Sequence, residues 1–305
     1  MVGCWMDETI AKNYVRAGKI LHELQKKARK MVKPGAKLLD IAECLEKEIT
    51  DIDKEAGPAF PANLSVNDEA AHYSPCVDDE RVVGEGDLIK VDLGVQVQGY
   101  IADAAFSLDF SGEWGKLLEA SERALENAIA GVRVGAEVGK IGQAIEDTIK
   151  GYGFKPVQNL CGHGLEQWTT HSNPSMPNVG LKQSRKLVEG MAIAIEPFAT
   201  NGRGLIHEGS ACEIYGLQEP RPIRNPEARK IMEFIAGKYK TLPWSERYAH
   251  NELKLPDFKR RMGLRELLLK GCIRPYPVLL EQKGAMVAQA ETCMILKDND
   301  VIVLV

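Results

Sequence analysis

The chain has 305 residues, 44% of them hydrophobic and 27% charged, with a net charge of −4. That is the composition of a globular protein large enough for one substantial domain plus an appended unit, and its negative balance argues against a general nucleic-acid binder. No apolar run approaches the ~20 residues that cross a bilayer, and Met1-Val2-Gly3-Cys4-Trp5 lacks the basic and apolar regions of a signal peptide. Seven scattered cysteines, none in Cys-x-x-Cys spacing, point to reduced thiols and a cytoplasmic location.

In chain order, a first helix is predicted to start at an Asp7 cap. It carries Ile10, Tyr14, Ala17, Leu21, Leu24, Ala28 and Met31 on one face and stops at Pro34-Gly35. A second runs from about Leu39 to Glu55 and buries Ile41, Leu45, Ile49 and Ile52. Residues 88–94 and 100–106 then read as a hairpin around Gln98-Gly99. A turn centred between Val97 and Gln98 sets Asp92 directly opposite Asp103, with Ile89, Val91, Leu93 and Val95 on the other, helix-covered face. Facing carboxylates destabilise a sheet unless something neutralises them. A pair of divalent ions about 3.5–4 Å apart, bridged by carboxylates, does so.

The pattern then recurs. Val32, Gly35, Ala36, Ile41, Glu46 and Ile49 return as Val132, Gly135, Ala136, Ile141, Glu146 and Ile149 at an offset of 100. Glu85-Gly86-x-x-Ile89-x-Val91-Asp92 returns as Glu189-Gly190-x-x-Ile193-x-Ile195-Glu196 at an offset of 104. Two agreeing windows indicate an α+β chain built from a duplicated unit of two helices followed by strands. Asp92 and Glu196 end the same motif in the two copies, so both carboxylates are expected to face one site between the halves.

Further polar residues sit where burial is expected. His163 lies among glycines in Leu160-Cys161-Gly162-His163-Gly164, which lets a backbone approach closely. Glu196 and Glu291 are placed inside strands that are otherwise apolar. Asp92 and Asp103 lie 11 positions apart but Glu196 and Glu291 lie 95 apart, so the second hairpin carries an insertion of about 84 residues. It reads as a helical subdomain over residues 212–275, set in a main domain of 1–211 and 276–305. A helix begins at Asn225-Pro226, with Ile231, Phe234 and Ile235 inward, and another runs over Leu264–Lys270 to Gly271. The basic run Lys259-Arg260-Arg261 reads as a solvated face.

The ordered set Asp92, Asp103, His163, Glu196 and Glu291 resembles the five metal ligands of the pita-bread metallopeptidases, which include methionine aminopeptidases, prolidases and aminopeptidase P. Three features are similar to the type II methionine aminopeptidases: Ala70-Ala71-His72-Tyr73-Ser74-Pro75, His171 eight residues after His163, and the insertion before the last Glu. The first helix starts within ten residues, as in the short archaeal form. The chain departs from the pattern in having Ala290 and Thr292, rather than an aromatic residue and a His, beside Glu291. That departure puts the pocket wall or the metal affinity in question.

The resemblance implies a pita-bread fold of two pseudo-symmetric helix-helix-hairpin halves around a mostly antiparallel sheet. It also implies two divalent ions (Co, Mn, Fe or Zn), a set that oxygen-rich ligands do not distinguish. Asp103, His163, Glu196 and Glu291 would hold one ion and Asp92, Asp103 and Glu291 the other. Glu196 would shuttle a proton, His171 polarise the scissile carbonyl, and His72 hydrogen-bond the peptide-nitrogen side. Phe60, Asn63 and Tyr276 match the pocket for the first side chain. The implied activity is removal of the initiator methionine from nascent chains that carry a small second residue. The implied partners are nascent N-termini, with a transient ribosome contact, no membrane, no sequence-specific nucleic acid and a monomeric state. A prolidase-type enzyme and a non-catalytic pita-bread binding protein are the alternatives. Val2 of this chain is itself small, so the chain is expected to be its own substrate: intact mass spectrometry of protein from its native cell should show Met1 missing, and retained Met1 would contradict this.

Overall fold

The computed structural model describes residues 6–305; the reading of Met1–Trp5 lies outside the described residues. Asp7 caps α1 (Glu8–Met31) by accepting from the Thr9 amide at 2.6 Å. α2 (Leu38–Ile52) follows, ending three residues earlier than expected, and Ile52 is exposed rather than buried because the helix stops there, at Asp53. The second copy supplies α3 (Gly115–Gly131) and α4 (Val138–Gly151).

The duplication extends to individual hydrogen bonds. Gly35 and Gly135 both adopt positive φ, at 82° and 83°. The Gly35 amide donates to the Val83 carbonyl and the Gly135 amide to that of Leu187, at 2.8 Å in each case. Lys37 bridges to Val82, and Glu137 to Lys186. Each half thus anchors its second helix to the segment that leads into its carboxylate-bearing strand.

α1 and α2 cover a four-stranded sheet in which the long hairpin Leu88–Val97 and Tyr100–Asp109 is flanked by strands Ala56–Pro58 and Asn63–Val66. The second copy contributes a five-stranded sheet in the order 300–303, 292–297, 192–195, 161–166 and 169–177. Each half has its own apolar core: Leu21, Leu24, Leu45, Val91 and Val95 in the first, Leu117, Ile141, Ile145, Ile193 and Ile195 in the second. The two sheets meet where Ala105 and Glu291 exchange both main-chain hydrogen bonds, at 2.9 and 3.3 Å. Glu196 and Glu291 lie at breaks just outside the strands Ala192–Ile195 and Thr292–Lys297, not inside strands as the sequence suggested. A break frees the side chain from the alternation that would otherwise commit it to one flat face.

Residues 214–276 hold a three-stranded sheet (order 244–245, 214–217, 273–276) and three helices, α5 (Pro226–Lys238), α6 (Glu246–Leu253) and α7 (Asp257–Leu269). Their buried residues Ile231, Ile235, Trp244, Leu264 and Leu267 are continuous with the first-half core. Arg260 is not solvated: it is 1% exposed and donates to Glu246 at 2.7 Å and Asp257 at 2.6 Å. A lone basic tripeptide does not reveal which of its members faces inward on a helix. Among the described residues no helix is long and apolar enough to cross a membrane, and the six described cysteines are unbonded.

Burial, then the charge of Glu246, pushes the Glu213 carboxyl up to about 7. The unfolded chain titrates near the ordinary Glu value. The folded state therefore holds the extra proton between those two pH values, and this group removes stability as pH rises across that window. Glu213→Gln should be more stable than wild type by about 1–2 kcal/mol at pH 7.5, and the gap should close near pH 4. Thermal melts at both pH values check this; equal melting temperatures at pH 7.5 would contradict it.

Candidate functional site

The site is laid out by strand register. Asn63 pairs with Asp92, Asp92 with Ala105, and Ala105 with Glu291. The pairs Ile195–Thr292 and Phe198–Gln289 bracket Glu196 and Glu291, so these two carboxylates face one another in the same register. One row across the joined sheets thus bears Asn63, Asp92, Glu291 and Glu196. Asp103 stands opposite Gly94, and His163 opposite Ala194. Ala105, Gly94 and Ala194, each a cross-strand partner of Asp92, Asp103 or His163, are small and leave space beside the polar side chains, while Asn63 flanks Asp92 on its other side.

Asp92 and Asp103 are not the directly facing pair expected from the sequence. The turn is the two-residue Gln98-Gly99, both at positive φ (52° and 86°), so its centre lies one residue later than expected. The register moves by two positions, side-chain parity is kept, and both carboxylates still share one face as diagonal neighbours. Glycines make the approach to His163 possible: a Cβ on Gly162 would lie 2.3 Å from the Ala194 carbonyl oxygen.

Ligand-type atoms of Asp103, His163 and Glu291 converge within 4.8 Å of one another, with His163 Nε2 3.7 Å from Asp103 Oδ2. Asp92 and Glu196 line the same cavity, whose volume is about 210 Å³. Asp92 Oδ1, Asp103 Oδ1 and Asn63 Oδ1 are buried with no hydrogen-bond partner. Orphaned buried oxygens of this kind cost several kcal/mol unless a cation takes them up. Burial raises the carboxyls of Asp92, Asp103, Glu196 and Glu291 above the usual carboxylate range, and their mutual charges push the last three further. Burial lowers His163 to about 4, so the ring is neutral. Its Nδ1 lies 3.2 Å from the Gly164 carbonyl, which only accepts, so the lone pair is on Nε2, facing Asp103. Four carboxylates and one imidazole nitrogen form a hard, oxygen-rich set that fits divalent cations.

Two more imidazoles face the cavity. His171 keeps contact with solvent yet stands against His163 with ring centroids 4.4 Å apart; desolvation by the cavity wall, then its neighbour His163, lowers it. His72 sits at φ 67°, packs edge-on against Tyr276 at 5.9 Å, and places Nδ1 3.3 Å from the Pro277 carbonyl. Burial lowers it to about 4. Phe60, Asn63 and Tyr276 line the same cavity, with Phe60 fitted over Gly94, where a Cβ would lie 2.2 Å from the ring. All ten side chains singled out in the sequence therefore share one cavity. Asn159, Cys161 and Pro243 join them unforeseen; only Cys161, next to the glycine-flanked His163, carried a local signal. Ala290 and Thr292 do not line the cavity: Thr292 donates to the Val305 carbonyl at 3.0 Å, on the side away from Glu291. His207 lies on an exposed strand outside the cavity.

Buried carboxylates, one metal-directed imidazole and two further neutral imidazoles around a cavity at the seam of two related halves define a metal-dependent hydrolase. The chain belongs to metallopeptidase family M24, whose sequence signature spans residues 12–220. It is 44% identical to the methionine aminopeptidase of Archaeoglobus fulgidus over 294 residues, covering 96% of this chain and 98% of that protein. It is 43% identical to that of Thermococcus kodakarensis over 293 residues, covering 96% and 97%. In structure it is similar to a methionine aminopeptidase from Thermotoga maritima, with TM-score 0.71, 22% identity and 99% of each chain covered. It is also similar to a thermophilic Arx1, with TM-score 0.84, 18% identity and 98% and 91% covered. The fold is therefore the pita-bread fold, and use of a divalent metal follows from the family.

An Asp103→Asn variant should show a crossed stability signature. Without metal it should melt above wild type, because one of four crowded carboxylates is neutral. With excess Mn²⁺ it should melt below wild type, because metal binding stabilises only an intact site. Melts in chelator and in Mn²⁺ test this, and the same order in both would contradict it.

Proposed function

We propose that the chain is an aminopeptidase that removes the initiator methionine from nascent proteins and favours a small second residue. The observation that carries this reading is the single cavity that collects Asp92, Asp103, His163, Glu196 and Glu291 with His72 and His171. Near-full-length similarity to methionine aminopeptidases supports it.

Two divalent ions fit the donor set: Asp103, His163, Glu196 and Glu291 would hold one, and Asp92, Asp103 and Glu291 the other. When bound, such a pair acidifies a water and polarises the substrate. The chain supplies the rest. Glu196 takes the proton from the attacking water and returns it to the leaving amine. Neutral His171 donates an N–H to the scissile carbonyl oxygen as charge develops there. The Nδ1 of His72 is committed to the Pro277 carbonyl, so its Nε2 accepts the hydrogen bond of the substrate's peptide N–H. Phe60, Asn63 and Tyr276 surround the methionine side chain. Apolar fit alone discriminates by about 1–3 kcal/mol, so rejection of bulky second residues falls to crowding at the mouth.

In this reading residues 1–211 and 276–305 form the catalytic domain and 212–275 the inserted subdomain of a monomeric cytoplasmic enzyme. A transient ribosome contact would use exposed cations of α7 such as Lys259 and Arg261, but not the buried Arg260. Unchanged co-sedimentation after neutralising those two would dispose of that contact. The activity is tested with metal-reconstituted enzyme and peptides that differ only in their first two residues, with Asp103→Ala alongside. The expected result is release of Met alone, fastest before Ala, Gly or Ser, and a loss of at least 100-fold in the variant, as removal of a transition-state contact gives. Cleavage only before proline would move the chain to the prolidase type. No cleavage with Mn²⁺, Co²⁺, Fe²⁺ or Zn²⁺ would favour a binding protein.

A further inference from the structure

Arg247, on α6 of the insertion, makes none of the contacts described at the cavity, yet it is 1% exposed and fully engaged. Its Nη1 and Nη2 donate to Glu46 Oε2 and Oε1, each at 2.9 Å, a two-bond fork across 201 positions of sequence. Nε donates to the Pro75 carbonyl at 2.7 Å, and Nη2 donates again to Ser74 Oγ at 3.3 Å. Four of the five N–H donors of a guanidinium are thus used, on two separate pieces of the first half.

Both pieces lead directly to the cavity. Glu46 Oε1, held by the fork, also accepts from the Ala62 amide at 3.0 Å. Ala62 lies between Phe60 and Asn63, which line the cavity, and Asn63 pairs with Asp92. Ser74 and Pro75 follow His72 by two and three residues. His72 has φ 67°, a left-handed conformation that a non-glycine residue holds only where its surroundings impose it. Those surroundings are the Pro277 carbonyl on one side and the Arg247 grip on Ser74 and Pro75 on the other.

The duplicated half provides an internal comparison. Glu146, the counterpart of Glu46, also accepts a loop amide, that of Gly180 at 2.9 Å. Its cation, however, is Lys150 on the same helix, four residues away and largely exposed. Anchoring a loop with this glutamate belongs to the repeat, whereas a buried arginine reaching in from the insertion belongs only to the half that bears His72 and the Phe60–Asn63 loop.

We propose that Arg247 is a positioning residue through which the insertion sets both the first-residue pocket and His72 against the carboxylates. The functional consequence rests on the aminopeptidase reading; the mechanical one does not. A flexible lysine keeps the charge but not the fork, so Arg247→Lys should fold, bind Mn²⁺ with wild-type stoichiometry, and loosen the two segments. Hydrogen exchange should rise in residues 60–63 and 72–75 and stay unchanged elsewhere. On Met-Ala-Ser, kcat/KM per metal-loaded site should fall about 10- to 100-fold, as small misplacements of reacting groups do, and the preference for Met over Leu at the first position should shrink. Glu146→Gln, the equivalent lesion in the other half, should leave both readouts at wild-type values. If Arg247→Lys shows unchanged exchange in both segments, or lowers activity only in proportion to the folded fraction while Met preference is kept, the proposal is overturned. If the wild type releases no methionine, the aminopeptidase reading fails and the exchange data alone decide the positioning role. Should Arg247→Lys not fold, Glu46→Gln carries the same test, with the same expected and overturning results.

Discussion

Everything in this molecule is arranged around the cost of holding Asp92, Asp103, Glu196 and Glu291 together out of water. Like charges at cross-strand distance repel, and burial raises all four above the ordinary carboxylate range. A fold can carry such a group only if something of opposite charge occupies it or if the surrounding framework is rigid enough to bear the cost. The two apolar cores, one per half, supply that rigidity. The small residues Ala105, Gly94 and Ala194, paired with Asp92, Asp103 and His163, leave space among the polar side chains.

Duplication explains how one cavity gathers carboxylates from distant parts of the chain. Each half ends a turn-and-strand motif in a carboxylate, Asp92 or Glu196, and the halves join where Ala105 and Glu291 exchange main-chain bonds. The polar row therefore runs across the seam rather than along one element. The segment 212–275 breaks the symmetry on one side only: it contributes Ile214 and Pro243 to the cavity wall and sends Arg247 into the first half. The cavity thus combines a carboxylate floor drawn from both halves with a wall drawn from one side only.

Much of this was legible in the sequence, and the failures have physical causes. The helices were readable because 3.6-residue periodicity and the Pro34-Gly35 stop are local signals. The duplication is readable because glycines with positive φ and buried Ile positions recur at a fixed offset in both copies. The carboxylates that share the cavity stood out as charged residues in apolar surroundings. The hairpin register differs by two positions because the sequence does not mark the turn centre, but the even period of a strand keeps both aspartates on one face. The burial of Arg260 is not legible because helical phase inside a short basic run is ambiguous. The link from Arg247 to Glu46 could not be read at all, since no local pattern ties residues 201 positions apart.

Asp92, Asp103, His163, Glu196 and Glu291 are expected to act as one cation-binding unit, which anomalous diffraction from crystals of the protein soaked in Mn²⁺ tests. Two anomalous peaks should appear inside the cavity about 3.5–4 Å apart, the spacing of carboxylate-bridged pairs. One peak should lie among Asp103, His163, Glu196 and Glu291 and the other among Asp92, Asp103 and Glu291. Full-occupancy manganese elsewhere on the protein, with none between these carboxylates, would contradict it.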